Sequence, residues 1–265
     1  MLETRHIAFD TLPVLEAIPP ISLEEMDGVK LLNRIDSKYL TDEQTLAHIL
    51  EDACRQGYRA LCTEGTKIAA YDTLYYDTAG LRMFLDHHNR RLVRQKVRTR
   101  VYVGSGLTFL EIKRKNNHGR TKKKRTQIPL AEFKDFSSDA EACSYLAAKS
   151  WFTAPELSPS LETIFRRITL VNPAMTERLT IDVCLGFNNF RTGREASLRN
   201  AVIIELKQDG RADSPAKRIL LKHRVKPIRV SKYCIGITLT SPGLKTNRFK
   251  LKIRKIEKQI KNKLI

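Results

Sequence analysis

Three stretches decide the fold of this chain: RQKVRTRVY (Arg94–Tyr102), FLEIKRK (Phe109–Lys115) and GRTKKKR (Gly119–Arg125). Charged residues alternate with aliphatic or small ones along the first two, and the alternation resumes from Lys122. Because successive side chains of a β-strand point to opposite faces, each stretch predicts a strand with one charged face. Ser105-Gly106 is typical of the turn of a hairpin, so the strands are expected to be consecutive and antiparallel.

The charge of this region is strongly one-sided. Between Arg94 and Arg125 the sequence holds twelve Lys or Arg and one acid, Glu111. A solvated sheet face is the ordinary interpretation of such alternation, but a solvated face usually mixes both signs. Two like charges ~4 Å apart repel by about 4 kcal/mol at an effective dielectric constant near 20. A row of cations therefore favours an anionic ligand that relieves the repulsion.

The rest of the chain extends the same pattern. A capping-box pattern that begins at Thr41 (Thr41-Asp42-Glu43-Gln44) predicts a helix that runs to about Gln56. Other helices are predicted at about 22–29, 138–150, 213–223, 231–239 and 245–265, and further strands near 68–77, 161–171, 179–185 and 201–208. Seven or eight strands joined by short connections predict an α+β fold. We expect an antiparallel eight-stranded β-barrel, charged face inward, with helices packed outside. The predicted division is a lead-in (1–24), a tunnel domain (25–244) and a basic C-terminal helix (245–265).

Composition narrows the classes of function. The chain has 265 residues and a formal net charge of +19, which points to nucleic acid, an acidic membrane surface or phosphate-rich molecules. The five cysteines include no C-x-x-C pair, so neither a disulfide framework nor a zinc site is expected. No apolar run reaches 18 residues and no signal peptide is apparent, so no transmembrane segment is expected. The cysteine usage predicts a cytoplasmic protein, with association at a membrane as the alternative. A P-loop motif is missing.

The charged rows suit phosphoryl chemistry. Guanidinium and ammonium groups hold phosphate oxygens, and a divalent metal that bridges phosphates needs only one or two carboxylates. The carboxylates on or near the predicted strands are Asp36, Glu111, Asp182 and Glu205. Acids so sparse among many bases fit a metal–phosphate complex better than a cage built from protein ligands alone. The low aromatic content of 7% argues against binding of single-stranded RNA, and no specific nucleic-acid partner is expected.

Eight short motifs, in this order, resemble those of the VTC domain, the polyphosphate-polymerase branch of the triphosphate tunnel metalloenzymes. They are NRIDSKYL (Asn33–Leu40), YYDT (Tyr75–Thr78), RQKVRTRVY, FLEIKRK, GRTKKKR, RLTID (Arg178–Asp182), IIELKQ (Ile203–Gln208) and SKYCIG (Ser231–Gly236). The resemblance covers roughly residues 25–250. It implies a basic tunnel in which the γ-phosphate of ATP is moved onto a growing polyphosphate chain with Mn²⁺ or Mg²⁺.

The resemblance also implies which residues act. A catalytic group is expected to comprise Lys38, Arg98, Arg100, Lys113, Lys207 and Lys232. Further phosphate contacts are expected from Arg34, Arg94, Lys124, Arg167, Arg178 and Ser231. Glu205 resembles the family's metal-binding glutamate, and Glu111 is the second metal ligand we expect. Phe165 stands where a tyrosine would be expected to contact phosphate.

One departure distinguishes this chain from the hydrolases of the wider tunnel family. Their E-x-E-x-K signature aligns with Arg34-Ile35-Asp36-Ser37-Lys38, so an arginine replaces the first acid and an aspartate the second. Loss of an acid weakens binding of a second metal, which favours the VTC branch. The alternatives are a tripolyphosphatase or nucleoside triphosphatase of the tunnel family, and a non-catalytic polyphosphate- or RNA-binding protein.

The basic tail from Lys245 to Ile265 is predicted to be amphipathic. Its apolar residues, Phe249, Ile253, Ile256, Ile260 and Leu264, recur at helical spacing. Such a helix can dock its apolar stripe on the barrel and offer its basic side to polyphosphate or to an anionic membrane, or its charges can simply be solvated. Family members often work beside a membrane channel that exports product; here that channel would be a partner protein.

Overall fold

The computed structural model describes residues 13–27, 29, 34–210 and 213–260. The strands are β1 (Pro20–Ile21), β2 (Arg34–Asp42), β3 (Arg59–Leu61), β4 (Ala69–Asp77), β5 (Arg94–Tyr102), β6 (Leu107–Lys115), β7 (Thr121–Ile128), β8 (Ser158–Val171), β9 (Glu177–Asn189), β10 (Glu195–Leu198) and β11 (Ala201–Asp209). The helices are α1 (Pro13–Ala17), α2 (Leu23–Asp27), α3 (Glu43–Arg55), α4 (Arg82–His88), α5 (Ala140–Lys149), α6 (Pro215–Lys222), α7 (Lys232–Thr240) and α8 (Asn247–Ile260).

Eight strands form one continuous antiparallel ladder in the order β2-β11-β9-β8-β4-β5-β6-β7. The sheet curls so far that Glu205 on β11 and Lys113 on β6 influence each other electrostatically, although four strands of the ladder, β9, β8, β4 and β5, lie between them. Within the described residues β2 and β7 do not pair, so the sheet is a half-barrel. The predicted α+β fold with an eight-stranded antiparallel barrel is confirmed in this curled, incompletely closed form.

The outer face of the sheet carries two apolar cores. On one side, Ile181 and Ile204 pack with Leu46 and Leu50 of α3 and with Leu220 of α6. On the other side, aliphatic residues of β5 and β6 pack beneath α5 and a short 3₁₀ helix at Leu130–Phe133. These helices lie outside the sheet because the aliphatic side of each alternating strand points outward.

Helix α7 instead covers one end of the concave face. Gly236 allows its close approach, because an added Cβ would meet Leu161 Cδ2 at 2.5 Å and Phe187 Cδ1 at 2.6 Å. The N-terminus of α7, capped by the Ser231 side chain, therefore lies at the edge of the remaining concave surface. The close packing fixes where Lys232, the first residue of the helix, enters the site.

The C-terminal helix α8 docks by its apolar stripe, as the periodicity predicts. Phe249, Ile253, Ile256 and Ile260 are buried in the same cluster as residues of α7 and β11, while Leu264 lies outside the described residues. The basic side of α8 remains exposed.

Two sequence-based expectations need adjustment. The N-cap of α3 is Asp42, whose side chain accepts a hydrogen bond from Thr45 N at 2.8 Å, and not the neighbouring Thr41, which belongs to β2. Helix α4 and the short strands β1, β3 and β10 were not predicted, since each is too short to show a hydrophobic period. No helix of the described chain is long and apolar enough to cross a bilayer.

Candidate phosphate-binding site

Basic side chains from seven strands share the concave face. Residues that are direct partners in a ladder point to the same side of the sheet, so the register fixes which side chains belong there. They are Arg34 and Lys38 (β2), Lys207 (β11), Arg178 (β9), Arg167 (β8), Arg94, Lys96, Arg98 and Arg100 (β5), Lys113 and Lys115 (β6), and Lys123 and Arg125 (β7). Lys232 joins them from α7.

The first acid on this face, Glu111, is fully committed to two cations. Its Oε2 accepts from Arg98 Nε at 2.7 Å and from Arg98 Nη2, and its Oε1 accepts from Lys123 Nζ at 2.9 Å. The carboxylate is fully buried. Burial opposes ionisation, but Arg98, Arg100 and Lys123 outweigh it and hold the pKa of Glu111 far below its usual value. Glu111 is therefore a counterion of the sheet.

A second acid, Asp182, is shared in the same way. Arg167 binds it in a fork, with Nε to Oδ1 at 2.6 Å and Nη2 to Oδ2 at 2.9 Å. Lys232 Nζ also donates to Asp182 Oδ2. Burial lowers the pKa of Lys232 to about 7, with Arg167 and Arg100 acting in the same direction against the attraction of Asp182. This lysine accordingly sits where its charge responds to pH near neutrality.

An aromatic platform carries three of these cations. The Phe165 and Tyr71 rings stack with centroids 5.3 Å apart. Lys232 Nζ lies 3.5 Å from the Phe165 centroid, and the guanidinium carbons of Arg100 and Arg167 lie 5.7 and 5.3 Å from it. Cation–π attraction therefore helps hold several like charges together. Phe165 cannot donate a hydrogen bond to phosphate. Its ring instead supports three side chains that can, those of Arg100, Arg167 and Lys232.

Among the further cations of the concave face, Arg100, Lys113 and Arg178 lie close to the paired ones and have no carboxylate partner within the described chain. Arg100 donates from Nε to Thr73 Oγ1 at 3.0 Å, and the buried Nε of Arg178 has no hydrogen-bond partner. Burial, with Arg98 and Arg167 beside it, lowers the pKa of Arg100 to about 10. Arg98 above all, with burial, lowers the pKa of Lys113 well below its ordinary value. A buried donor without an acceptor, surrounded by like charges, favours the binding of an anion.

Glu205 is more accessible to solvent than Glu111 or Asp182. Its Oε1 lies 2.8 Å from Lys38 Nζ, and its side chain keeps 23% exposure. Burial opposes ionisation, but Lys38, Lys207 and Lys113 lower the pKa of Glu205 to about 2, so it is ionised at neutral pH. Burial in turn lowers the pKa of Lys207 to about 8.

Another concave acid, Asp36, is bound by the arginine that replaces an acid in the tunnel signature. Arg34 Nε lies 2.6 Å from Asp36 Oδ1, with both side chains at least one-third exposed. The substitution thus removes one potential metal ligand and also supplies a partner for the other.

At the α7 end, Ser231 contacts the cationic row of β5. Its Oγ accepts a hydrogen bond from Lys96 Nζ at 2.7 Å while capping α7. Arg94 lies on the same row, and its Nη1 donates to Arg91 O at 2.6 Å. The helix N-terminus, with its partial positive charge, faces the same region and adds to the attraction for anions.

The expectation that Lys124 lines the concave face is wrong in its placement. Lys124 pairs with Ile112, whose side chain is buried in the outer core, whereas Lys123 pairs with Lys113. A shift of one residue along a strand moves a side chain to the other face. Lys123 therefore replaces Lys124 as the inward-facing lysine, and Arg125 follows it, with its guanidinium 4.4 Å from the Phe109 centroid.

Sequence reasoning also missed supporting residues. Tyr75 looks like sheet packing, yet its hydroxyl accepts from Arg98 Nη1 at 3.1 Å on the concave side. Tyr71, Thr73 and Lys123 were likewise not singled out. The sequence shows that Tyr71, Thr73 and Tyr75 share one face of β4, because they alternate along the strand. It does not show which residues of the neighbouring strands they contact, since strand pairing is set by the fold.

Among the four concave acids described above, Glu205 is the one that fits a divalent metal. The described residues contain no group of three or more His, Cys, Asp or Glu side chains placed to hold a metal, so a cage of protein ligands is not formed. Glu111 does not fit, since it is fully buried and both its oxygens are occupied by cations. Glu205 is ionised and partly exposed among phosphate-binding groups, which suits a metal that arrives with phosphate oxygens and water as its other ligands.

Known proteins resemble this chain in sequence or in fold. The VTC domain family matches residues 33–241. The solved structure of a candidate adenylate cyclase from Bacillus halodurans has a TM-score of 0.50 and 14% identity, covering 83% of this chain and 100% of that one. A candidate adenylyl cyclase from Hippeastrum, described as having a dominant triphosphatase activity, has a TM-score of 0.47 and 13% identity, covering 80% and 99%. No functionally curated protein matches the sequence.

Proposed function

The chain belongs to the VTC domain family, and from that membership we propose that it is a metal-dependent polyphosphate polymerase. It transfers the γ-phosphate of ATP onto the end of an inorganic polyphosphate chain and releases ADP. The observation that carries the proposal is the set of buried or half-buried cations on the concave face without a carboxylate partner in the described chain, Arg100, Lys113 and Arg178. Their mutual repulsion is relieved by an extended phosphate polymer, which brings one negative charge for each phosphate.

The free guanidinium nitrogens of Arg100 and Arg178 are the groups best suited to grip phosphate oxygens. Arginine presents its donors in a planar fork, which matches phosphate geometry and stays charged at any working pH. Lys113 and Lys207 act as point charges beside them. Together these side chains would hold donor and acceptor phosphates in line and neutralise the charge that develops on the transferred group.

A divalent metal, Mn²⁺ or Mg²⁺, would be held by Glu205 together with phosphate oxygens, and would supply further neutralisation of the phosphates. Lys38 orients this carboxylate through the 2.8 Å contact with its Oε1. Asp36 is tied to Arg34, which favours a single carboxylate ligand. That arrangement fits the VTC branch better than enzymes that bind two metals.

Transfer of a phosphoryl group to polyphosphate needs little general acid–base catalysis. The terminal phosphate oxygen of the acceptor is already ionised, so it attacks the γ-phosphorus without losing a proton, and the bridging oxygen leaves on ADP. A hydrolase has to activate water in addition. On the concave face Glu111, Asp182 and Glu205 are each ion-paired with cations that lower the pKa of the carboxyl group, which makes them weak bases for the activation of water. This favours polymerisation.

Incubation of the purified protein with ATP and Mn²⁺, followed by gel separation of the products, tests the proposal. We expect a ladder of polyphosphate and stoichiometric ADP. Release of orthophosphate with no ladder would identify a tunnel-type triphosphatase. Binding of polyphosphate with no turnover of ATP would identify a binding protein.

Glu205→Gln is the matched control for this assay. It removes the proposed metal ligand without removing a cation, so the ladder should disappear while thermal stabilisation by tripolyphosphate persists. A variant that kept full Mn²⁺-dependent turnover would show that Glu205 does not hold the metal.

Use of ATP as donor favours a cytoplasmic site of action. Export of the product would then require a separate membrane-protein partner. Copurification of a membrane channel with the tagged protein from a detergent extract would support such a complex.

A further inference from the structure

We propose that this protein docks on bilayers containing anionic lipids through a surface formed by the loop before β5, Trp151 and the exposed side of α8. This lipid-docking surface holds four of the exposed large apolar side chains. Their exposed fractions are 58% for Leu92, 49% for Val93, 42% for Trp151 and 69% for Leu251. The inference goes beyond the proposed reaction, since none of these residues touches the concave site.

Trp151 is tied directly to the start of β5. Its backbone N donates to Gln95 Oε1 at 2.9 Å, and Gln95 Nε2 donates to Lys149 O at 3.3 Å. Val93 lies two residues before Gln95 in the chain. The loop at 89–93 therefore emerges beside Trp151, and the exposed Leu92 and Val93 belong to the same part of the surface.

The first turns of α8 adjoin the other end of this loop. Asn247 Oδ1 lies 2.9 Å from His88 Nε2, and the Phe249 ring packs against His88 with centroids 5.6 Å apart. Burial, with the positive charges of Arg90, Arg229 and Arg94, lowers the pKa of Lys252. Leu251, next to Lys252, is consequently near the end of α4 from which the loop departs.

Cations surround these apolar side chains. The Arg114 guanidinium lies 5.0 Å from the centroid of the Trp151 ring. Further exposed cations on the loop and on α8 are Arg90, Arg91, Lys250, Arg254 and Lys255. The described part of the chain offers a carboxylate to just one of these, Arg91, which pairs with Asp86 at 3.2 Å.

This combination fits the headgroup region of a bilayer. Tryptophan prefers the membrane interface because its ring is apolar and its N–H is polar. Stable peripheral binding commonly needs two signals, and here they are shallow apolar insertion and a basic surface. A single-stranded nucleic acid would instead need several aromatic rings in series, and this surface has one.

The apolar stripe of α8 is not the inserting element. Phe249, Ile253, Ile256 and Ile260 are buried against the half-barrel, so the helix keeps its basic side outward. Insertion is therefore assigned to the loop, Trp151 and Leu251.

Trp151 provides the readout, because it is the only tryptophan of the chain. Its emission should shift to the blue on titration with phosphatidylcholine vesicles containing phosphatidylserine, and stay unchanged with phosphatidylcholine alone. Equal binding to both vesicles, or no shift with either, would overturn the proposal. A shift produced by RNA or polyphosphate but not by vesicles would replace it with a polyanion site.

The test variant is Leu92→Ser combined with Val93→Ser, which leaves Trp151 in place. We expect its affinity for the anionic vesicles to fall about tenfold or more, since two apolar side chains no longer enter the bilayer. Leu221→Ser is the matched control, because Leu221 on α6 is 77% exposed but lies outside this surface. An equal loss of binding in both variants would contradict the assignment.

Turnover of ATP without vesicles should be the same in the wild type and in both variants. Failure of the lipid test would therefore leave the proposed reaction untouched, and failure of the polymerase assay would leave the docking surface untouched.

Discussion

Two groups of cations share the concave face, and they differ in what neutralises them. In the paired group, Arg98 and Lys123 bind Glu111, while Arg167 and Lys232 bind Asp182. The unpaired group consists of Arg100, Lys113 and Arg178, for which the described chain supplies no carboxylate.

This difference explains how a strongly basic surface can be stable in the folded protein and still bind a polyanion. A buried charge is tolerated when a partner is built in, so the paired group stabilises the sheet before any ligand arrives. The unpaired group raises the free energy of the ligand-free protein and releases that energy when phosphate binds. The two groups should therefore respond to substitution in opposite ways.

The largest effect is expected from Glu111→Gln. It leaves the buried Arg98 without a counterion beside Lys113 and also removes the partner of the more exposed Lys123. Breaking a buried pair typically costs about 3–5 kcal/mol. Urea unfolding should show a decrease of that size in the free energy of unfolding. Glu205→Gln, at a more exposed pair, should lose much less, and equal losses would mean that the two acids do not differ in structural role.

Arg100→Ala should reduce ligand affinity without reducing the stability of the ligand-free protein. Removing a cation repelled by Arg98 and Arg167 leaves the ligand-free protein at least as stable, yet the affinity for tripolyphosphate should fall about 100-fold, since a hydrogen bond to a charged group contributes about 1.5–3 kcal/mol. Isothermal titration calorimetry measures the loss. Arg100→Lys should recover affinity only partly, because the planar fork is lost. Unchanged affinity in the alanine variant would move the ligand away from β5.

A smaller effect, of about tenfold, is expected from pH. The pKa values of Lys232 and Lys207 are lowered to about 7 and about 8, so both lose their charge as pH rises from 7 to 9. The affinity for tripolyphosphate should fall over this range, and binding should take up protons.

Stability without ligand should change in the opposite direction over the same range. Between a lowered folded pKa and the higher unfolded pKa, the unfolded chain binds more protons, so the free energy of unfolding rises with pH. Lys207→Arg, which stays charged, should flatten the upper part of the affinity profile. An identical profile in that variant would remove Lys207 from the binding site.

The smallest effect separates two neighbouring lysines. Lys123→Ala should weaken tripolyphosphate binding about threefold by removing one inward charge, whereas Lys124→Ala should leave it within measurement error, because an outward charge is screened by solvent. Titrations at low salt compare the two. A larger loss in Lys124→Ala would mean that the register of β7 differs from the one described.

The strands, their alternation and the excess of positive charge could all be predicted from the sequence. These are local properties: the period of two follows from strand geometry, and twelve bases against one acid between Arg94 and Arg125 favour an anionic partner whatever the fold. It also predicted the stripe of α8, since Phe249, Ile253 and Ile256 recur at helical spacing.

Which cations obtain a carboxylate partner depends on the tertiary structure. Arg98 and Arg100 are equivalent in the sequence, two residues apart on one face of β5. In the fold, Arg98 binds Glu111 on β6, whereas Arg100 donates to the hydroxyl of Thr73 on β4. Likewise the register of β7 alone turns Lys123 inward and Lys124 outward. Partners across a sheet come from strands distant in the chain, and the pattern within one strand carries no information about which residue will stand opposite.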